Sequence, residues 1–153
     1  MKPEPIHLLL AATDRDATAI RALLESNGLP TADLETSRPE FYVASEDAVV
    51  VGVGGLQRFD SAGLLRSVAV SLSHRRSGLG SRIVEFIERR AADAGLSDIY
   101  LLTETAEHFF GKRGYRTIER RNVPGVVQAS AEFGSLCPQS AHCMMKKLNK
   151  SAV

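Results

Sequence analysis

Residues 64 to 81 read Leu64-Leu65-Arg66-Ser67-Val68-Ala69-Val70-Ser71-Leu72-Ser73-His74-Arg75-Arg76-Ser77-Gly78-Leu79-Gly80-Ser81, an apolar strand running straight into a basic, glycine-spaced turn that opens a helix. A turn of this kind binds phosphate. Gly78 and Gly80 let the backbone come close to an anion, and Arg75 and Arg76 bring charge. A helix expected to begin near Ser81 aims its unpaired N–H groups and positive dipole end at the same point. Two other phosphate loops fail on their residues. A Walker loop needs lysine after its second glycine, where Ser81 and Arg82 stand here, and a dinucleotide loop needs a third glycine.

The chain has 153 residues, enough for one domain that buries its own core without metal or disulfide staples. Its 19 basic and 18 acidic residues nearly cancel, so attraction to phosphate must come from a local cluster such as His74 to Arg76. Nucleic acid is excluded as an expected partner, because aromatic residues make up only 6% and no basic stripe interleaves with them. No apolar run approaches the roughly 18 residues that cross a bilayer, and Met1 to Ile6 lead directly into a strand-like run. A cytoplasmic protein with no membrane partner is therefore expected. Cys137 and Cys143 match no common zinc spacing, so no metal is expected and two reduced, packed thiols are.

Periodicity orders the elements. Ile6 to Ala11 reads as a strand, and Thr13 with Asp16 reads as a capping box for a helix carrying Ala17, Ile20, Leu23 and Leu24 that ends at Asn27-Gly28. A short helix capped by Thr31 follows, as a lid. Phe41 to Ser45 and Ala48 to Phe59 are strands about a Glu46-Asp47 turn, and Gly52, Gly54 and Gly55 in the second call for a bulge or a close neighbour. After the turn Asp60 to Gly63 come the strand Leu64 to Val70 and a helix over Arg82 to Ala94. The strand Asp98 to Leu102, a helix Glu104 to Lys112, strands Gly114 to Glu119 and His142 to Leu148, and an irregular insertion over Arg121 to Ser140 complete the chain.

This order, the spacing Arg75-x-x-Gly78-x-Gly80 and the segment Ala106-Glu107-His108-Phe109-Phe110-Gly111-Lys112-Arg113-Gly114-Tyr115 resemble the GNAT N-acetyltransferases over nearly the whole chain. The resemblance implies one N-acetyltransferase domain over residues 1–153. Its fold class would be α/β (α+β), a mixed, mostly antiparallel sheet of six to seven strands with about four helices, splayed at the central parallel pair. It implies acetyl-CoA as cosubstrate and a small-molecule amine as partner, and members of the family often pair as homodimers. The diphosphate would lie on Arg75, Arg76, Ser77, Gly78, Leu79, Gly80 and Ser81. The pantetheine amides would pair with the main chain of Val68, Ala69 and Val70 in the splayed gap. Many relatives carry a tyrosine where Phe110 stands, so a proton donor for the leaving thiolate is missing.

For a base, Glu104 is the first candidate, since it follows the strand that ends at Leu102, and His108 on the next helix is the second; a helix-capping role competes for Glu104 and plain solvent exposure for His108. Arg66 interrupts an apolar strand and either binds an acidic substrate group or lies on the solvent face; strict alternation puts it on one side with Val68 and Val70. The segments Leu29-Pro30-x-x-Asp33-Leu34, Leu65 to Val70, Leu102-Thr103-x-Thr105-Ala106 and Glu132-Phe133-x-x-Leu136-Cys137-Pro138-x-Ser140-Ala141 resemble the arsenic-resistance branch of the family. That branch implies amino acid N-acetylation on the α-amine of a glutamate-like compound such as phosphinothricin or arsinothricin. Acetylation of a protein or peptide amine, and a non-catalytic acetyl-CoA sensor, are the rival readings.

Overall fold

A computed structural model describes residues 7–148, so Ile6, expected to open the first strand, lies outside the described residues. Its described residues divide into two compact units, one running up to Leu56 and again over Ser67–Ile87, the other over Gln57–Arg66 and from Glu88 onward. Strands β3 (Val49–Phe59) and β4 (Ala62–Val70) and helix α3 (Leu79–Asp93) each pass from one unit into the other.

In the first unit, β1 (His7–Ala11) pairs antiparallel with β2 (Glu40–Glu46), which pairs antiparallel with β3. The hairpin closes at Glu46↔Val49 around Asp47 and Ala48, both left-handed at φ 50° and 65°. The turn therefore lies one residue later than the sequence suggests, because a two-residue hairpin needs positive φ at both central positions. Helix α1 (Ala17–Ser26) buries Ile20, Leu23 and Leu24 against Val43, Val53 and Ala69. The capping box is present, with the Thr13 N–H donating to Asp16 Oδ2 at 2.8 Å, but it closes a 3-10 turn over Asp14–Asp16 rather than the α-helix itself. Helix α2 (Leu34–Ser37) begins after Asp33, not Thr31, since the Asp33 carbonyl accepts from the N–H groups of Thr36 and Ser37.

Helix α3 starts at Leu79, two residues before the expected Ser81, and buries Leu79, Ile83, Val84, Ile87 and Ala91. The glycines of β3 explain how it packs. A Cβ at Gly52 would stand 2.8 Å from Ile83 Cδ1 and 3.1 Å from Leu79 Cδ2, and one at Gly54 would stand 2.6 Å from Ile87 Cδ1 and 2.7 Å from Ile83 Cγ2. The close neighbour that these glycines require is the face of α3. Within β4, Ser67 is left-handed at φ 58° and buried, which breaks the alternation of the strand. Arg66 and Ala69 are buried while Val68 and Val70 are half-buried, so the placing of Arg66 with the two valines on one face is overturned.

In the second unit, β4 pairs in parallel with β5 (Asp98–Thr103), β5 antiparallel with β7 (His142–Lys147), and β7 antiparallel with β6 (Arg116–Thr117). The parallel ladder runs only from Ala62↔Asp98 to Leu64↔Tyr100, although β5 continues to Thr103. The seven strands are thus mostly antiparallel with one parallel pair, as expected. Helix α4 (Glu107–Gly111) is shorter than the predicted 104–112, because Thr103 Oγ1 accepts the Ala106 N–H at 2.9 Å and bends the chain first. The insertion contains helix α5 (Gly125–Gln128) and a π-helical turn over Glu132–Leu136, and its Val123, Val127 and Phe133 pack on Leu64, Tyr100 and Met145. No described helix is long and apolar enough to cross a membrane.

Gly54→Val forces two methyl groups of the buried Ile83 and Ile87 aside. It should cost on the order of 3 kcal/mol, read as a lower urea midpoint at unchanged slope.

Candidate functional site

In the first unit, the chain leaves β4 at Ser71, whose N–H donates to Val51 O at 2.8 Å, and passes through a 3-10 turn, Leu72–His74. Arg76 follows at φ 68° and Gly78 at φ 83°. Glycine adopts that conformation freely, whereas for arginine it costs about 1 kcal/mol or more. Alternating left-handed residues turn successive N–H groups inward, which makes an anion-binding concavity. The first helical hydrogen bond runs from Arg82 N–H to Gly78 O, so the start of α3 adds its own N–H groups to this turn. Leu79 is 2% exposed and belongs to the core, so its part in binding an anion is a main-chain one.

The loop is held by polar contacts that no sequence motif announces. His74 Nδ1 is 2.7 Å from Ser71 Oγ, and His74 Nε2 is 3.1 Å from Glu46 Oε2 at the end of β2. Ser77 Oγ donates to the His74 carbonyl at 2.5 Å. Arg75 Nη2 donates to Asn27 Oδ1 at 2.8 Å, and the Asn27 amide in turn donates to the Leu23 carbonyl at 2.8 Å, which ties the loop to the end of α1. In the sequence Glu46 carries only a turn signal and Asn27 only a helix end, and both lie far from Arg75 along the chain.

In the second unit, Glu104 is exposed just past the end of β5, and His108 is exposed on α4, where it lines an open groove of about 450 Å3 with Lys112, Tyr115 and Met144. The residue that precedes α4 is Ala106, so Glu104 does not cap that helix. Phe110 and Tyr115 are buried and meet edge to face at 5.5 Å. The Tyr115 hydroxyl donates to Glu88 Oε2 at 2.9 Å, while Lys146 Nζ donates to Glu88 Oε1 at 2.9 Å. Burial and then the Glu88 charge push the Tyr115 pKa far up, so that hydroxyl keeps its proton and does not replace the one absent at Phe110.

Arg66 lies inside, with its side chain wholly covered. Its Nε is 3.6 Å from Glu132 Oε1, whose side chain is 5% exposed, and its Nη1 donates to Gln57 Oε1 at 3.1 Å. The solvent-face alternative is overturned: a guanidinium with a buried carboxylate beside it can enter the interior, where an unpaired one cannot. Cys137 and Cys143 are free thiols. Burial, then the charges of Glu132 and Glu104, push Cys137 up to about 12, and burial pushes Cys143 up to about 11, so both stay protonated and unreactive near neutrality.

Residues 37–117 match the family model described as an acetyltransferase (GNAT) domain, more than half of the chain. The chain belongs to the GNAT acetyltransferase family. Among curated GNAT relatives, an amino-acid acetyltransferase of Pseudomonas paraeruginosa is 28% identical over 102 residues, which is 65% of this chain and 24% of that protein. The match thus spans about a quarter of that relative. N-acetylglutamate synthase from Neisseria gonorrhoeae, solved with coenzyme A and N-acetyl-glutamate, shares the fold at a TM-score of 0.81 and 23% identity, over 97% of this chain and 36% of that one. Rv2747 from Mycobacterium tuberculosis, solved in complex with CoA, aligns at a TM-score of 0.79 and 25% identity, over 94% of this GNAT chain and 100% of that chain.

Glu132→Ala takes the carboxylate away from a covered guanidinium and should destabilise the protein by about 3 kcal/mol. A thermal melt of the purified variant checks this.

Proposed function

We propose that this chain transfers the acetyl group of acetyl-CoA to the α-amine of a small acidic amino acid or a glutamate analogue, with arsinothricin and phosphinothricin as the analogues to try first. The observation that carries the donor half is the left-handed backbone at Arg76 and Gly78 ahead of a 15-residue helix, which offers a diphosphate main-chain donors and a dipole. Support for the acceptor half is the similarity to amino-acid acetyltransferases. A cavity of about 620 Å3 bordered by Arg21, Glu35, Arg38 and Phe41 in the first unit adds to it, being within the range of small-molecule sites and carrying both signs of charge that a zwitterion needs.

Under this reading the amine nitrogen attacks the thioester carbonyl carbon, the C–S bond breaks, the amine loses a proton and coenzyme A leaves as its thiolate. The main chain of Val68, Ala69 and Val70 takes the pantetheine amides, and one of its N–H groups faces the carbonyl oxygen as negative charge grows there. Such a donor is worth about 3 kcal/mol. The α-amine of a free amino acid sits beside its own carboxylate, which holds its pKa above the roughly 7.7 to 8.0 of a peptide α-amine, so freeing its lone pair near neutrality costs more than about 1 kcal/mol and calls for a base. Glu104, exposed at the end of β5, is assigned that role, with His108 second. The thiolate leaves without a proton donor, as a thiol with a reference pKa of about 8.5 can.

For Arg66 to recognise the acidic group in this scheme, the acceptor must displace part of the cover over its guanidinium and compete there with Glu132. The whole described chain acts as one acetyltransferase domain, and a homodimer is its proposed assembly. A single observation favours a rival: Phe110 lacks the hydroxyl that many relatives use, as a non-catalytic acetyl-CoA sensor would.

Release of free coenzyme A across a panel of glutamate, phosphinothricin, arsinothricin, unrelated amines and peptides tests the assignment. Release with the acidic amino acids alone is expected; peptide-dependent release transfers the protein to the protein-amine class, and binding without turnover makes it a sensor. Arg66→Ala should raise KM for the acidic acceptors about tenfold or more, the effect of one lost charge-assisted bond. An unaltered KM in the active variant would remove Arg66 from acceptor recognition. Glu104→Gln should lower kcat on the order of 100-fold near neutral pH, with the deficit shrinking as pH rises and the amine loses its proton unaided. A flat deficit across the pH–rate profile would take the base role from Glu104.

A further inference from the structure

We infer that Glu46 and His74 form a clamp that positions the diphosphate loop and sets the affinity for the acyl donor. This inference rests on the acyl-CoA reading above and assigns two residues to that site that no motif contains. The loop has to hold an arginine in the left-handed region at position 76, a conformation that costs free energy and persists only where its surroundings enforce it.

His74 is placed to enforce it, because it is bonded on three sides. Its backbone N–H donates to Ser71 O at 2.9 Å, which closes the 3-10 turn, and its carbonyl accepts from Ser77 Oγ at 2.5 Å, one residue before Gly78. Its ring spans from Ser71 Oγ, 2.7 Å from Nδ1, to Glu46 Oε2, 3.1 Å from Nε2. Ser73 Oγ also lies 3.0 Å from Nδ1. The ring contacts are sheltered: the His74 side chain is 18% exposed and that of Glu46 33%, unlike the open surface of Arg75 and Arg76. Glu46 ends β2 and is paired with Val49 of β3, past a register shift between Ala44 and Ser45, so the hairpin holds the residue from whose carboxylate the loop hangs.

The positions of the N–H groups around Arg76 and Gly78 therefore depend on a contact 28 residues away in sequence. Loss of the clamp lets the loop relax out of the left-handed turn before the donor arrives, and the donor must then restore it on binding. Affinity for the donor falls as a result, while the chemical step, once the donor is seated, does not change.

Glu46→Ala and His74→Ala should each raise KM for acetyl-CoA about fivefold, the size of one lost hydrogen bond, with kcat kept within about twofold. His74→Phe, which keeps the ring volume and loses all three ring contacts, gives the same result and guards against collapse of the alanine variant. The double alanine variant should be no worse than either single one, since both remove one device. Unchanged KM in folded variants, parallel loss in KM and kcat, or multiplied losses in the double variant each overturn the clamp. Calorimetry of the wild-type protein with acetyl-CoA separates the two levels: no heat at millimolar ligand overturns the acyl-CoA reading together with the clamp, whereas tight binding with unaffected variants overturns the clamp alone.

Discussion

Helix α3 lies close on β3 because positions 52 and 54 have no side chains, and the start of that helix is where the turn proposed to hold the diphosphate is made. Contacts of 2.6 to 2.8 Å to a notional Cβ leave no room for alanine without displacing the methyl groups of Ile83 and Ile87. Leu79 fills the same seam near Gly52. Its burial anchors the first turn of the helix and so brings Gly78 to the point where the chain must reverse into the left-handed region. The leucine between the two glycines of the motif and the glycines of β3 are thus one packing solution seen from two sides.

Much of this was legible in the sequence for a physical reason: glycines in an apolar strand forfeit side-chain packing unless a neighbour comes close enough to fill the space they leave. The helix stripe of Ile83, Val84, Ile87 and Ala91 was legible as well, because burial over four turns imposes its period. What escaped was settled by side chains acting locally. Thr103 captured the Ala106 N–H and delayed α4, Asp33 displaced Thr31 at the start of α2, and Ser67 turned left-handed inside β4. A single residue at positive φ sends every later side chain of a strand to the other face, so the alternation that placed Arg66 beside Val68 and Val70 failed at one point.

The burial of Arg66 had a different kind of invisibility. Its partner Glu132 is 66 positions away in an insertion without periodicity, and ion pairing between such positions leaves no trace in local pattern. The pair is costly to bury, and replacement by apolar residues is frequently no less stable, so stability alone is a poor reason for it. The pair ties the π-helical turn of the insertion to the middle of β4. In the proposed role a guanidinium held there meets an acidic group only in competition with a carboxylate, so recognition is a difference between two similar bonds rather than a gain of one.

That division of labour follows from the chemistry proposed for the chain. A thioester is already activated, so the reaction asks for a fixed donor, an oriented acceptor and one group that takes the amine's proton. Main-chain groups supply the fixed donor, and they tolerate almost any side chain that keeps the turn. Sequence identity can accordingly fall to 23% while the fold is shared at a TM-score of 0.81. The protonated thiols, the tyrosine locked on Glu88 and the phenylalanine at 110 leave Glu104 and His108 as the side chains proposed to take a proton. In that proposal selectivity falls to the few side chains that restrict the acceptor, and Arg66 and Glu132 lie where pattern is weakest: beside the break in β4 and in the insertion.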